Sequence, residues 1–197
     1  MMLEALRSIV QAVNAAGNLQ AALDIIVSRI AEVMGTEVCT VYLRDPESGR
    51  LIFMANQGLN PDLIGKISLG PDEGLVGQVA RREEPVNLDH AEKPPNFLYL
   101  PGIGEEQYHS FLGAPIIHQR PVMGVLVVQQ KDSRRFDEDE EAFLVTMSAQ
   151  LAGVIAHARA TGSISTAQNA VGATASFKGI AGATGVAIGR AVVVAPI

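Results

Sequence analysis

The sequence has little cysteine, few aromatic residues and no long hydrophobic run. Cys39 is the single cysteine among 197 residues, so no disulfide can form within the chain and a reducing cytoplasm is the expected setting. The longest apolar run, residues 122–128, has the length of a strand and is far shorter than the ~18 residues of a membrane-spanning helix. Glu4 and Arg7 interrupt the N-terminus, which argues against a signal peptide. We therefore expect a soluble cytoplasmic protein without a membrane partner.

Basic residues are also in the minority. The 15 Lys and Arg residues are outnumbered by 21 Asp and Glu residues, which leaves a formal net charge of -6. The nearest basic clusters, residues 81–82 and 131–135, are short and flanked by acids. Because nucleic-acid binding needs clustered positive charge, we expect no nucleic-acid partner. A hydrophobic content of 48% exceeds that of disordered chains, so the sequence predicts a globular protein.

Side chains for catalysis or metal binding do not cluster in the sequence. No two of His90, His109, His118 and His157 have the spacing of metal ligands, and Cys39 has no second cysteine for thiol exchange. Nucleophilic, phosphorelay and metal chemistry all require converging groups of these types. We therefore expect that this stretch of chain has no catalytic residue, holds no metal and carries no cofactor.

Hydrophobic periodicity predicts an α+β domain over residues 1–160, with helices packed on an antiparallel sheet and a long C-terminal helix. Asn18 is a predicted N-cap, and Gly17 and Gly35 are predicted helix ends. The predicted helices cover residues 3–13, 19–34, 75–82 and 136–159. The predicted strands cover residues 37–43, 51–56, 67–69, 86–88, 108–118 and 122–130.

Residues 89–107 form a long segment without periodicity, and aromatic residues cluster on or beside it. Four of the nine aromatic residues fall there, at Phe97, Tyr99, Tyr108 and Phe111. Aromatic faces with a few polar groups are typical of a small-molecule pocket, and a long irregular segment is typical of a binding loop. The alternative is that these aromatic residues only anchor the loop as a small satellite core.

Polar groups beside the aromatic cluster are Asp89, His90, Glu105, Glu106, His109 and Ser110. An amino-acid ligand would place its ammonium group near an acid such as Asp89. Its carboxylate would use free backbone amides at the helix start, residues 74–77. Cys39 is a predicted ligand contact, and the alternative is that it is only a small buried residue on a strand. The residues that we predict to contact a ligand are Cys39, Val41, Gly77, Asp89, Phe97, Tyr99, Tyr108, His109, Ser110 and Phe111.

The closing helix is apolar around nearly its whole circumference. Such a helix needs packing partners on more than one side. The sequence therefore predicts a homodimer that associates through the first and last helices around a two-fold axis. The alternative is a monomer in which the first two helices and the sheet cover the closing helix completely.

Three segments carry a family resemblance. Gly-Leu-Val-Gly-Gln-Val at 74–79, Ser-Phe-Leu-Gly-Ala-Pro-Ile at 110–116 and Met-Gly-Val-Leu at 123–126 resemble the corresponding segments of a GAF domain, and the order of elements fits. Some GAF domains also carry an Asn-Lys, Phe, Asp-Glu signature. Gln130-Lys131, Phe136 and Glu140 resemble it with conservative changes, which implies an ion pair between Lys131 and Glu140 and permits cyclic-nucleotide binding.

The end of the chain carries a second resemblance. Residues 161–176 lack charge and consist mostly of Ser, Thr, Ala and Gly, which is typical of a flexible linker. Phe-Lys-Gly-Ile-Ala-Gly at 177–182 and Gly-Val-Ala-Ile-Gly-Arg-Ala at 185–191 resemble the opening of enzyme I of the phosphoenolpyruvate phosphotransferase system, although Thr184 replaces a frequent proline. Residues 177–197 would then be the incomplete start of that body. A GAF domain joined to such a body is similar to the nitrogen-branch enzyme I family.

This family resemblance implies a function for the longer protein. In the family, the body autophosphorylates a histidine from phosphoenolpyruvate with Mg²⁺ and passes the phosphoryl group to a phosphocarrier protein. The GAF domain is taken to regulate that activity by binding a small nitrogen metabolite, either glutamine or 2-oxoglutarate, with glutamine favoured. The alternatives are a dimerisation module with a vestigial pocket, a cyclic-nucleotide-binding domain, or a GAF-type reductase that uses Cys39. The sign of the regulation stays open.

Overall fold

The structure is a computed structural model that describes residues 2–93, 98, 100 and 102–162. Some of the sequence-based predictions concern residues outside these ranges. Phe97 and Tyr99 are among them, as are the predicted linker from residue 163 onward and the predicted start of the enzyme I body at 177–197.

Helices form where the sequence combines an apolar stripe with capping residues. The side chain of Asn18 accepts a hydrogen bond from the Ala21 N–H (2.9 Å) and starts the second helix, and Gly35 ends it in the left-handed conformation at φ +63°. In the last helix, Asp137 and Glu140 form a reciprocal capping box. The four α-helices are α1 (Met2–Asn14), α2 (Leu19–Met34), α3 (Gly74–Arg82) and α4 (Glu138–Ala160), and a short 3-10 helix covers Pro61–Leu63.

Six strands form one antiparallel sheet. In spatial order the strands run β3-β2-β1-β6-β5-β4, and every neighbouring pair is antiparallel. The strands are β1 (Val38–Arg44), β2 (Leu51–Gln57), β3 (Ser68–Leu69), β4 (Val86–Leu88), β5 (Ser110–Ile117) and β6 (Val122–Gln130). The predicted α+β architecture is confirmed, and the predicted ranges of the helices and strands lie within two residues of the observed ones. Gly17 is not the end of the first helix, because α1 already ends at Asn14.

The sheet has two differently covered faces. Because side chains alternate along a strand, Cys39, Val41 and Leu43 of β1 point to one face, and Val38 and Tyr42 point to the other. We call the first the helical face, since α2 and α4 pack on it and α1 packs against these two helices. We call the second the loop face, since α3 and the irregular segments around it pack there.

The last helix supplies much of the helical-face core. One side of α4 is buried against the sheet and α2, through Phe143, Leu144, Met147, Leu151, Ala152, Ile155 and Ala158. Among the described helices, α4 is the one that is long and apolar enough to cross a membrane by length and composition alone. Its packing in this core is the behaviour of a central helix of a globular domain.

The connection from β6 to α4 is held by polar contacts. Both Arg134 terminal nitrogens donate to the Glu140 carboxylate at 2.7 Å, and Arg134 also stacks over the Phe136 ring at 4.7 Å. The predicted ion pair between Lys131 and Glu140 is therefore wrong. Glu140 is the third residue of α4 and its carboxylate turns back over the helix start, where Arg134 lies rather than the end of β6.

Candidate functional site

A small cavity lies on the loop face, between the sheet, the start of α3 and the segment that precedes β5. Its volume is about 30 Å³, which is room for about one water molecule and less than an amino acid occupies. The described residues that line it are Tyr42, Leu69, Gly74, Leu75, Val76, Leu98, Leu100, Glu105, Phe111 and Gln129.

The floor of the cavity comes from three central strands. Tyr42 of β1, Phe111 of β5 and Gln129 of β6 all point to the loop face and are buried. The Tyr42 ring meets the Phe53 ring edge to face, with 5.5 Å between the ring centres. The strand register fixes these positions, since Tyr42 pairs with Val125 of β6 and Phe111 pairs with Gln129 itself. The floor is therefore a rigid platform of two aromatic side chains and one amide.

The roof of the cavity comes from the predicted binding loop. Leu98 and Leu100 line the cavity from above, and we call residues 98, 100 and 102–105 the roof segment. The Asn60 N–H donates to the Ile103 carbonyl (3.1 Å), and the Asn60 side chain donates to the Gly102 carbonyl (3.2 Å). Ile103 is fully buried in the loop-face core. The roof segment is thus anchored at Ile103, and its two leucines close the cavity.

Glu105 is the charged side chain in the cavity lining. Burial and, to a smaller extent, the nearby Glu106 charge raise the pKa of its carboxyl to about 7, although a hydrogen bond with the Gln129 side chain opposes the change. Burial also raises the pKa of Tyr42, and Glu105 adds to that shift. A carboxyl poised near neutral pH among aromatic and aliphatic groups is typical of functional sites.

Thr40 is a second polar group on the same face of the sheet. It precedes Tyr42 by two residues in β1 and is 1% exposed. Its hydroxyl has no hydrogen-bond partner in the described part of the chain. Buried hydroxyls normally have a partner, and an unpaired one indicates a place for a water molecule or a ligand group.

The first turn of α3 borders the cavity through Gly74, Leu75 and Val76. Gly74 begins the helix at φ +66°, and Glu73 provides no side-chain cap, because its carboxylate accepts from the Gly70 N–H at 2.6 Å instead. Gly77 has a packing role. A Cβ there would lie 2.6 Å from the Asp72 carbonyl carbon, so only glycine allows this approach. Unpaired N–H groups at a helix start favour an anionic group.

The predicted ligand residues are only partly brought together. Phe111 lines the cavity. Cys39 and Val41 lie on the helical face, with the sheet between them and the cavity, and burial raises the pKa of the Cys39 thiol far above its ordinary value. Gly77 lies in α3 beside the Asp72 backbone. Tyr108 is buried in the loop-face core outside the cavity lining.

The other three described candidates form a network at the ends of β4 and β5. The Asp89 side chain is exposed, and the backbone carbonyl of Asp89 accepts a hydrogen bond from the Ser133 hydroxyl at 2.6 Å. His109 pairs with Glu92 at 3.4 Å. The Ser110 hydroxyl accepts from the Arg134 N–H (2.8 Å) and lies against the Arg134 carbonyl (2.6 Å). These contacts hold the β6–α4 connection against the sheet rather than forming a pocket.

Sequence reasoning missed Tyr42 and Gln129 as site residues, and it did not single out Glu105 among the polar groups beside the aromatic cluster. Strict alternation in β1 and β6 placed Tyr42 and Gln129 on one face, which was a usable signal. Glu105 had no such signal, because it lies beside Glu106 in an irregular segment and only the fold turns one of the two inward.

Among residues 2–162, as far as they are described, no three His, Cys, Asp or Glu side chains are placed to hold a metal ion.

Comparison with known proteins identifies the fold family. Residues 18–155 match the GAF domain model. The chain is 48% identical to the GAF domain from a phosphoenolpyruvate-protein phosphotransferase (ptsP) of Coxiella burnetii, covering 83% of this chain and 97% of that one, with a TM-score of 0.80. It is 49% identical to the GAF domain from the Acinetobacter phosphoenolpyruvate-protein phosphotransferase, over 83% and 98% of the two chains, with a TM-score of 0.76.

A curated relative from Escherichia coli, named as phosphoenolpyruvate-dependent phosphotransferase system, is 43% identical over 160 residues. That match covers 81% of this chain and 21% of the relative, so the chain spans about a fifth of the relative's length. The residues matched by the GAF model include all six strands, α2, α3 and most of α4. The chain therefore belongs to the GAF domain family, in agreement with the resemblance of residues 74–79, 110–116 and 123–126.

Proposed function

We propose that this GAF domain is the regulatory domain of a nitrogen-branch enzyme I. In this proposal it binds a small nitrogen metabolite, with glutamine favoured over 2-oxoglutarate, and modulates phosphoenolpyruvate-dependent autophosphorylation of an attached enzyme I body. The observation that carries the proposal is the cavity under the roof segment, which combines aromatic walls, a carboxyl group and a helix start. The similarity to GAF domains of phosphoenolpyruvate-protein phosphotransferases supports the nature of the attached body.

The polarity of the cavity suits an amino acid. The first turn of α3 offers backbone amides and the positive end of the helix dipole at Gly74, Leu75 and Val76. A ligand carboxylate there would face Glu105 across the cavity. Because the cavity is only about 30 Å³, binding requires Leu98 and Leu100 to move outward while Ile103 keeps its anchor. The roof segment would then close over the ligand.

A short chain of contacts connects the cavity with α4. Gln129 lines the cavity, and the next residue, Gln130, accepts from Arg134 at 3.2 Å. Arg134 in turn holds Glu140 in the first turn of α4. A ligand that moves the end of β6 would therefore move the start of α4, and α4 leads into the segment before the proposed body. The effect on autophosphorylation is a coupling free energy between two sites.

The remaining parts of the proposal concern the longer protein. Mg²⁺ and phosphoenolpyruvate would be used by the enzyme I body, and a phosphocarrier protein would receive the phosphoryl group from it. We propose a cytoplasmic location, since one cysteine and an acidic composition fit that compartment. A linker over residues 161–176 and the start of the body at 177–197 complete the proposed organisation.

The binding half of the proposal is tested by titrating the 197-residue chain with glutamine, 2-oxoglutarate and cyclic GMP in a calorimeter. We expect heat with glutamine, no competition from cyclic GMP, and slower amide exchange in the roof segment when glutamine is bound. Amides of α1 serve as the internal control. Absence of binding by every compound would contradict the sensor proposal and favour a domain with a vestigial pocket.

The regulatory half needs the full-length protein. Autophosphorylation from labelled phosphoenolpyruvate is measured with and without glutamine, and compared with a protein that lacks residues 1–160. We expect a response to glutamine that the truncated protein has lost. An equal response in both proteins would place the regulation elsewhere.

A second candidate function is dimerisation through α1 and α4. Among the described residues, the exposed large hydrophobic side chains are Leu3 of α1 (77%) and Val145 of α4 (40%), which lie on the two helices predicted to pair. We propose that these helices form a homodimer. Sedimentation of the chain and of the variant Leu3→Glu/Val145→Glu tests this. We expect the variant to sediment as a monomer, and a monomeric parent chain would exclude the dimer.

A further inference from the structure

We propose that Glu105 binds an ammonium group, which is either the primary ammonium of an amino acid or the free ammonium ion. This inference rests on the proposed function, because it assigns the ligand chemistry of the same cavity. It replaces Asp89, the sequence-based candidate for that role, because the Asp89 side chain is exposed and outside the cavity lining.

The size of the cavity fits this group. At about 30 Å³, the space accommodates a water-sized occupant without any movement of the roof segment. An ammonium group has nearly the dimensions of a water molecule. The remainder of an amino acid would extend from it toward Leu98 and Leu100, which are the side chains that have to yield.

The surrounding chemistry favours a cation. No Lys or Arg is among the described residues of the lining, so the Glu105 carboxylate has no positive partner there. Tyr42 and Phe111 line the same space, and aromatic faces attract a desolvated cation. The Gln129 amide hydrogen-bonds the carboxyl and holds its orientation. The unpaired Thr40 hydroxyl lies on the same sheet face but outside the cavity lining.

The groups that face Glu105 also predict a proton linkage. They are Glu106 beside it, Gln129 from β6 and Tyr42 from β1, and none of them is cationic. Without a cationic neighbour, the carboxyl of the empty cavity stays mostly protonated at pH 6 and is mostly ionised at pH 8, so at the lower pH an ammonium group must displace its proton on binding. With a pKa of about 7, the affinity is expected to rise about tenfold between pH 6 and pH 8. Binding releases the proton to solvent, and no bond to carbon changes.

The experiment uses the 197-residue chain and titrates it with ammonium chloride, glutamine, N-acetylglutamine and 2-oxoglutarate at pH 6 and pH 8. Potassium chloride matches ammonium chloride for ionic strength and ion size. The variants are Glu105→Gln, which keeps the shape of the side chain, and Asp89→Asn as the matched control. Thermal unfolding of each variant checks that it is folded.

We expect wild-type binding of glutamine or ammonium to strengthen about tenfold from pH 6 to pH 8. We also expect at least a tenfold loss in Glu105→Gln, no loss in Asp89→Asn and no binding of N-acetylglutamine. The titrants distinguish the free ammonium ion from an amino acid as the ligand. Binding of ammonium but not of glutamine assigns the site to the free ion. Binding of glutamine that ammonium displaces only weakly assigns the site to the amino acid.

Other outcomes separate this inference from the proposed function. If glutamine binds but N-acetylglutamine binds equally well, or Glu105→Gln keeps full affinity, the ammonium receptor is overturned and the sensor stands. If 2-oxoglutarate alone binds, the inference is likewise overturned while metabolite sensing survives. If no titrant binds, both are overturned. The pH comparison and the N-acetyl comparison use the wild-type chain, so they decide the matter even if Glu105→Gln does not fold.

Discussion

The two faces of the sheet are built differently. On the helical face, three helices bury a continuous aliphatic core in which Leu23, Ile30, Leu144 and Leu151 have no exposed surface. On the loop face, one short helix and irregular segments cover the same strands, and polar groups such as Thr40, Gln129 and Glu105 are buried or partly buried among them. The buried core of the helical face is formed by hydrophobic side chains, whereas the loop-face cavity is lined in part by the polar side chains Glu105 and Gln129.

We infer from this difference that the helical face mainly stabilises the domain and the loop face mainly serves binding. Close packing of aliphatic side chains contributes most of the free energy of folding. Buried polar groups with unmet hydrogen bonds cost stability, and natural proteins keep them mainly where a ligand or a switch needs them. We therefore expect substitutions on the helical face to change stability, and substitutions on the loop face to change binding and pH dependence as well.

The largest expected effect is on the helical face. Leu144 of α4 is fully buried, and Leu144→Ala should lower the free energy of unfolding by ~2–5 kcal/mol, because it removes packed atoms and leaves a cavity. The neighbouring Val145 is 40% exposed, so Val145→Ala should cost well under 1 kcal/mol. Urea unfolding of both variants is the measurement. Equal losses would show that the α4 core is not packed as described.

Alanine substitutions at two glycines are expected to change the free energy of unfolding in opposite directions. Gly77→Ala forces a Cβ against the Asp72 backbone at the start of α3 and should lower the free energy of unfolding by ~1–3 kcal/mol. At Gly153 in α4, an added methyl group would have no neighbouring atom within 4 Å, so Gly153→Ala should raise the free energy of unfolding by ~0.5–1 kcal/mol through better helix propensity. Thermal unfolding compares them. A stabilising Gly77→Ala would refute the close contact.

The cavity carboxyl should make stability depend on pH. The pKa of Glu105 is raised from 4.5 to about 7, so the folded state holds a proton that the unfolded state has lost between these values. The free energy of unfolding therefore decreases as pH rises from about 4.5 to about 7. After allowance for partial exposure, we expect Glu105→Gln to gain ~1–2 kcal/mol relative to wild type over this range.

Unfolding by urea at pH 4.5, 6 and 8 measures that difference, and Glu84→Gln, at an exposed carboxyl, is the control. A constant difference between Glu105→Gln and wild type across this pH range would mean that the carboxyl is solvated.

The smallest expected effect concerns the contact between the β6–α4 connection and the first turn of α4. Arg134 and Glu140 are 41% and 13% exposed, so their coupling energy should be ~0–1 kcal/mol in a double-mutant cycle with Arg134→Ala and Glu140→Gln. The hydrogen bond from Arg134 lowers the pKa of Glu140, so this stabilisation is lost as pH falls through that lowered pKa. The same cycle with Lys131→Ala should give no coupling. A coupling energy between Lys131 and Glu140, and none between Arg134 and Glu140, would support the ion pair predicted from the sequence.

Elements with local signals could be predicted from the sequence, and contacts between distant elements could not. The Asn18 cap and the Gly35 terminator act within a few residues, so α2 was predictable to its ends. Alternation separated Cys39 from Tyr42, but no local rule states which face of a six-stranded sheet carries the cavity. Glu105 meets Tyr42 and Gln129 only through the sheet order β1-β6-β5, which depends on the whole chain.

The central position of β6 determines how ligand effects can be measured. Every residue of β6 is buried, and the strand is paired on both sides, with β1 and with β5. Its amides are therefore expected to exchange with deuterium only when the entire domain unfolds, whereas the segment over the cavity opens locally. Exchange in β6 thus reports the global gain in stability from any bound molecule. Exchange in the roof segment, compared with it in the same sample, isolates the closing of the cavity alone.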